Sequence, residues 1–145
     1  MYKGEWKGGF RDGYGVMQWP DGARYEGQWK DNHANGKGKF IHAVGDIYDG
    51  EWIRDKANGF GTYTSFNSGG SYTGHWENDL QHGKGIEKWQ DDSYYEGEFL
   101  YGEKSGLGRQ RWPDGSVYVG DWKNNMIHGI VIILFNTLGK TSVEG

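Results

Sequence analysis

The sequence predicts an all-β fold: one elongated antiparallel sheet, a single layer thick, built from about six repeat hairpins. Three observations carry that prediction. The pentad Tyr2-Lys3-Gly4-Glu5-Trp6 returns at Tyr25, Tyr48, Tyr72, Tyr95 and Tyr118, with spacings of 23, 23, 24, 23 and 23 residues, and its last residue is Trp in every copy but one, which has Phe99. A Gly-x-Gly element follows each of the first five pentads. The chain of 145 residues holds 27 glycines and two prolines, and its eight Trp, ten Tyr and six Phe outnumber its 19 Ile, Leu and Val. Large flat rings beside backbone that lacks a Cβ, rather than aliphatics, must therefore supply the apolar area. A short unit at fixed period makes a quasi-one-dimensional array. The single domain divides into repeats at about 2–24, 25–47, 48–71, 72–94, 95–117 and 118–141.

Each unit reads as strand, turn, strand, turn. Tyr, Gly and Trp of the pentad are two residues apart, so they share one face of the first strand. A hairpin turn near Gly8-Phe10 places Trp6 across from Gly13, Gly4 across from Gly15 and Tyr2 across from Met17. On the second strand Gly13, Gly15, Met17 and Trp19 then share the same face. Rings and glycines meet across the hairpin, and a ring over a neighbouring glycine offsets the usual weakness of glycine in a strand. A turn closes the unit, clearest at Pro20-Asp21-Gly22 and Pro113-Asp114-Gly115. The one extra residue of the third copy falls in this turn, near Ser68-Gly69-Gly70.

The opposite face carries the charge. The register sets Glu26 against Lys39 and Glu96 against Arg109, and brings Lys88 within reach of Glu96. Such solvated pairs contribute about 0.2–1 kcal/mol each and mainly hold register. No α-helix of note is predicted.

Composition excludes several function classes. A net charge of -4 supplies no global basic field for nucleic acid or an anionic membrane. Without cysteine there is no disulfide framework, thiolate metal site or thiol catalysis. The longest apolar stretch, Ile130 to Phe135, is far short of a membrane-spanning helix, and no signal peptide opens the chain. The expectation is a soluble cytosolic chain.

The unit Tyr-x-Gly-x-Trp, a loop, Gly-x-Gly, then Trp-Pro-Asp-Gly before the next Tyr resembles the MORN repeat, and His82-Gly83 and His128-Gly129 match the His-Gly step common in it. The resemblance runs from Tyr2 to about Thr141. It implies an elongated, curved, single-layered sheet with an aromatic-lined groove. It also implies a scaffold, protein-binding or dimerising role, at membrane–cytoskeleton junctions or in cilia, with some arrays appended to enzymes such as phosphatidylinositol phosphate kinases or a lysine methyltransferase.

The sixth copy departs from the pattern. Val131 stands where glycine is expected, no Pro-Asp-Gly turn follows, and Ile130-Val131-Ile132-Ile133-Leu134-Phe135 is apolar on both faces. Two readings stay open. Ile130, Ile132, Leu134 and Phe135 either contact another chain or missing sequence, with a homodimer through the terminal repeats as one form, or make a local cap with Leu138 and Val143. The start of the chain inside a repeat at Met1-Tyr2 suggests an excised piece or an edge strand needing cover.

Chemistry is sparse. His33, His42, His75, His82 and His128 show no metal-ligand spacing, and no metal or other cofactor is expected. His82 and His128 occupy one repeat position and are read as bonding loop backbone; His42 fills the place of Trp19. Glu5, Glu51, Glu98 and Asp121 form an acidic row at a carboxylate spacing that a glycosidase could use, but with no pocket they read as a solvated face. The Gly-x-Gly elements precede no helix, so they are not phosphate cradles. Lys37, Lys39, Lys84, Lys88, Arg109 and Arg111 make a basic stripe interleaved with acids. Lys84, Lys88 and Arg111 are its candidate lipid contacts, through weak peripheral membrane association.

The aromatic face is the candidate site. Trp6, Trp29, Trp52, Trp76 and Trp122 are expected to be buried and structural, and Tyr2, Tyr25, Tyr48, Tyr72, Tyr95 and Tyr118 to lie at the groove surface, with Trp52 and Trp76 completing the contact. The reading is a non-enzymatic scaffold or adaptor without catalytic residues. It binds a partner protein or peptide through the groove or self-associates, at cytoplasmic cytoskeletal, ciliary or membrane-associated structures. The alternative is a phosphoinositide-associated targeting region of a larger enzyme.

Overall fold

A computed structural model describes the backbone of residues 1–135 and 140–144 and the side chains of residues 1–129. It is one open sheet whose strands follow chain order from end to end. The first repeat supplies β1 (Tyr2–Lys7) and β2 (Phe10–Gln18), the second β3 (Arg24–Lys30) and β4 (His33–Ile41), the third β5 (Ile47–Ile53) and β6 (Lys56–Thr64). Then come β7 (Ser71–Glu77), β8 (Leu80–Lys88), β9 (Tyr94–Leu100), β10 (Glu103–Arg111), β11 (Ser116–Lys123) and β12 (Met126–Phe135). A thirteenth strand, β13 (Lys140–Glu144), pairs with β12 and was not expected. All pairings are antiparallel, and no helix is present among the described residues.

Register is nearly as the spacing predicts. Tyr2 faces Met17 and Gly4 faces Gly15, but Trp6 faces Arg11 rather than Gly13, because a bulge intervenes. Its cause is the hairpin turn. Gly8 and Gly9 have φ of 57° and 82°, a two-residue turn with both central residues left-handed, so Lys7 faces Phe10. This tight turn pulls the strand ends out of the register that the glycines require, and the bulge restores it. Gly13 pairs instead with Trp29 of the next repeat.

The same turn recurs in every repeat. Its residues are Asp31-Asn32, Arg54-Asp55, Asn78-Asp79, Tyr101-Gly102 and Asn124-Asn125, all at positive φ. Arg54, at φ 47°, lacks the short polar side chain that tolerates this region. Arg54→Asn, the residue that stands at Asn78, is expected to raise unfolding free energy by about 0.5–1 kcal/mol, read from the urea midpoint. An unchanged or lowered midpoint contradicts this.

The bulges leave a second trace. Glu51 Oε1 accepts from Phe60 N–H at 2.8 Å and Glu98 Oε2 from Leu107 N–H at 2.9 Å, and Glu5 reaches Tyr14 N–H in the same way. Each donor follows the bulge glycine of its repeat. Glu5, Glu51 and Glu98 of the acidic row are thus carboxylates that satisfy ladder amides released by the bulge.

From β1 to β11 each strand contributes one glycine to an unbroken cross-strand row running from Gly4 to Gly120, where Val131 of β12 ends it. The backbone of the apolar run in β12 is paired on both sides, Ile132 with Val119 and with Val143. The side chains of Ile130, Ile132, Leu134 and Phe135, and their choice between a neighbour and a local cap, lie outside the described residues.

Candidate functional site

The tyrosines lie where the sequence did not place them. Tyr25, Tyr48, Tyr72, Tyr95 and Tyr118 are 0–4% exposed, and Tyr2, at the open edge, is half-buried. From Tyr2 to Tyr95 each ring lies against the glycine of the following strand: the Tyr48 hydroxyl would be 2.3 Å from a Cβ at Gly61, and the Tyr95 hydroxyl 2.3 Å from one at Gly108. Each hydroxyl donates to the carbonyl three residues on, as from Tyr48 to Glu51 O and from Tyr95 to Glu98 O, both at 2.9 Å. With the polar tip satisfied inside the sheet, the amphipathic ring has no need of solvent, which was the ground for expecting it at the surface.

Burial raises all of these phenols, Tyr72 and Tyr95 to about 12. A folded value above the unfolded one means that their stabilising contribution is fully present below pH ~10 and is lost as pH rises through the folded value. Absorbance titration is expected to show their ionisation delayed past pH ~11 and then coincident with loss of the β-sheet signal. Ordinary ionisation near pH 10 with the sheet intact would refute it.

The tryptophans divide. Trp29 and Trp122 are buried, Trp52 and Trp76 are half-buried, and Trp6 is 58% exposed. An interior ring sits edge-on between its own tyrosine and the preceding one: Trp52 is 5.0 Å from Tyr48 and 5.5 Å from Tyr25, centroid to centroid. Its Nε1 donates to Gly38 O at 2.9 Å, as Trp76 does to Gly61 O at 3.1 Å. Trp6, on the first strand of the described sheet, contacts Tyr2 alone among the tyrosines.

Above this layer runs a groove of about 880 Å³ over the first four repeats, reaching Gly102 of the fifth. Trp52 and Trp76 line it as expected; its lip is Met17, Phe40 and Tyr63, which sequence reasoning passed over. These three face Tyr2, Tyr25 and Tyr48 across the hairpins. In the next two repeats that position is Glu87 and Gln110, and the apolar lip ends.

The position facing each pentad aromatic also varies: Arg11, Ala34, Ala57, Gln81, Lys104 and Ile127. The alanines form the groove floor. Arg11 places Cζ 4.8 Å from the Trp29 ring centroid. Lys104 places Nζ 5.1–5.2 Å from Trp89, Tyr95 and Trp122, and donates to Gln110 Oε1 at 3.0 Å. Burial pulls the Lys104 ammonium below its ordinary range, against the nearby Glu87 carboxylate, and pushes that carboxylate up. Aligning the repeats and asking which inward positions vary would have found these residues.

A side-chain ladder ties the second, third, fourth and sixth repeats to the one before. The second turn residue sends its side-chain oxygen to an amide of the previous hairpin: Asn32 to Arg11, Asp55 to Ala34, Asp79 to Ala57 and Asn125 to Lys104, at 2.7–2.9 Å. His82 accepts from Tyr101 N–H at 3.2 Å through Nδ1, the loop-backbone role expected of it. His42 packs on Phe40 at 4.5 Å, and its N–H donates to Asp46 O as that of Trp19 does to Ala23 O.

The outer face is mixed. Glu26 faces Lys39 and Glu96 faces Arg109, but Glu96 faces Ile86 on its other side, and Lys88 faces Tyr94. Lys84 faces Glu98, while Lys88 and Arg111 flank Tyr94 from the strands on either side of it. No group of three or more His, Asp or Glu among the described residues could hold a metal.

The family model described as "MORN repeat" matches residues 2–24, 25–47, 48–70, 72–94, 95–117 and 118–130. The sixth match stops where the apolar run begins. No curated protein matches the sequence. Among solved structures, the chain is similar to the SAS-4 (dCPAP) TCP domain of Drosophila melanogaster, solved in complex with a proline-rich motif of Ana2 (dSTIL). The TM-score is 0.54 at 13% identity, over 92% of this chain and 84% of that one, which is a likeness of fold.

Proposed function

Because the chain belongs to the MORN-repeat family, with six tandem copies in one sheet, we propose that it is a non-catalytic binding module whose aromatic face takes an extended segment of a partner protein. The observation that carries this is the groove: about 880 Å³ of space lined by Ala34 and Ala57, by the half-buried Trp52 and Trp76 and by the more exposed Trp19, above the buried tyrosine layer. Concave, mainly apolar sites with a few fixed polar groups are what peptide ligands use. A solved domain of similar fold that carries a proline-rich motif supports the same reading. A cytoplasmic scaffold at cytoskeletal, ciliary or membrane-associated structures is the setting proposed for it. The mixed charge of the outer face gives no support to a lipid-targeting role.

The test is a titration of proline-containing extended peptides into the isotopically labelled chain, watching the indole N–H signals. Signals of Trp29, Trp52 and Trp76 are expected to move, and Phe40→Ala is expected to weaken binding about fivefold. Shifts confined to the outer face, or none with any peptide, would sink the reading.

A further inference from the structure

We infer that the groove recognises two basic side chains of the partner, spaced by one repeat and carried on a polyproline-II segment. This rests on the reading that the aromatic face takes an extended peptide. The argument starts from the chain's own cations. In the first, second, third and fifth repeats the residue facing the pentad aromatic lies in a slot between the tyrosine of its own repeat and the indole of the next; in the fourth, where Gln81 stands, Phe99 replaces the indole. In the first repeat the slot is filled by Arg11, whose Cζ lies 5.9 Å from the Tyr2 centroid and 4.8 Å from that of Trp29. In the fifth it is filled by Lys104, with Nζ 5.1 Å from Tyr95 and 5.2 Å from Trp122, and with Trp89 from the preceding closing turn at 5.2 Å. A cation over a ring is thus the occupant that the repeat itself uses.

The second and third repeats have alanine at that position, and the space above lies in the groove. Tyr25 and Trp52 flank one slot, Tyr48 and Trp76 the other, and Trp19 and His42 line the same groove. The charge of the turn residue changes with the slot. Where the chain supplies its own cation, the residue that docks on the slot's backbone is neutral: Asn32 on Arg11 and Asn125 on Lys104. Where the slot holds alanine, that residue is an aspartate: Asp55 on Ala34 and Asp79 on Ala57. Asparagine makes the same ladder bond at 2.8–2.9 Å, against 2.7 Å for aspartate, so the bond forms without the negative charge. Asp55 shares its other oxygen with His33 Nδ1 at 2.6 Å. Each vacant slot therefore has aromatic walls and a carboxylate at its rim, the counterpart of a guanidinium or ammonium.

Spacing selects the carrier. Equivalent slots are two strands apart, about 9.4–9.8 Å. A polyproline-II helix rises about 9.3 Å per three residues and presents residues i and i+3 on one side. A β-strand repeats its side at about 6.8 Å and falls out of step. The partner segment is thus proline-rich with Arg or Lys at i and i+3.

The experiment titrates a capped proline-rich peptide with arginine at i and i+3 into the full chain. It is compared with a peptide carrying citrulline at both positions and with one carrying its arginines at i and i+4. The arginine i,i+3 peptide is expected to bind about tenfold or more tighter than either. The quadruple variant Ala34→Lys, Ala57→Lys, Asp55→Asn, Asp79→Asn copies the Lys104–Asn125 arrangement into both slots. It is expected to fold, shown by its circular dichroism, and to lose that preference. Should the citrulline peptide bind as tightly while moving the same indole signals, the cation slots are wrong and the peptide groove stands. Should neither peptide move them, both readings fall. A concentration-dependent dimer that moves those signals in the absence of peptide would place a second copy in the groove and overturn the proposal. So would a quadruple variant that binds the arginine peptide as well as the parent.

Discussion

Gly50→Ala is expected to break the array at its centre. A Cβ there would lie 2.4 Å from Gly61 Cα, 2.6 Å from Phe60 O and 2.9 Å from the Tyr48 hydroxyl. The first two are backbone atoms of the paired strand, which cannot move aside without opening the ladder between β5 and β6. Overpacking that only side chains must absorb costs about 1–3 kcal/mol. Here the main chain must shift, so about 3 kcal/mol or more of lost stability is expected from chemical denaturation. In a quasi-one-dimensional array the damage should be regional. Hydrogen exchange should show protection lost from β4 to β7 while β9 to β11 keep theirs. A denaturation midpoint within error of the parent would show that the glycine row is not needed for close strand approach.

Tyr95→Ala is expected to be nearly as severe, at about 3–5 kcal/mol, because it removes a fully buried ring. Tyr95 packs edge-on against Phe99 at 5.1 Å and Trp122 at 5.2 Å, covers Gly97 and Gly108, and carries the Lys104 ammonium at 5.1 Å. Tyr95→Phe keeps the ring and removes one hydrogen bond to Glu98 O, so about 1 kcal/mol is expected. Trp19→Ala, at a 38% exposed groove wall, should cost less than about 1 kcal/mol. If thermal denaturation ranked Trp19→Ala above Tyr95→Ala, the division into a structural tyrosine layer and a binding wall would be reversed. In practice, Tyr48→Ala or Tyr72→Ala cannot serve as a test of partner binding, since both remove buried rings.

Much of this architecture is legible along the chain. Period and pentad alone determined six hairpins, their order in one sheet, the pairing of Gly4 with Gly15 and of Glu26 with Lys39, and the side on which rings and glycines meet. They could do so because strand side chains alternate with a period of two, so the spacing of Tyr, Gly and Trp states which residues share a face. What tertiary structure decided is how deep each ring sits and which of them meet. The chemistry of tyrosine pointed outward, but a carbonyl three residues on takes its hydroxyl, and a bare glycine on the next strand takes its ring. Neither partner can be known before the hairpin closes. The bulge behind each tight turn was hidden for the same reason, as it reconciles two registers that are each permissible locally. It gives Glu5, Glu51 and Glu98 their work on backbone amides, and it sets Arg11, Ala34, Ala57 and Lys104 in equivalent slots across the pentad aromatics. The candidate site is made of those slots, which span two repeats each, and so it exists only when neighbouring hairpins are packed together.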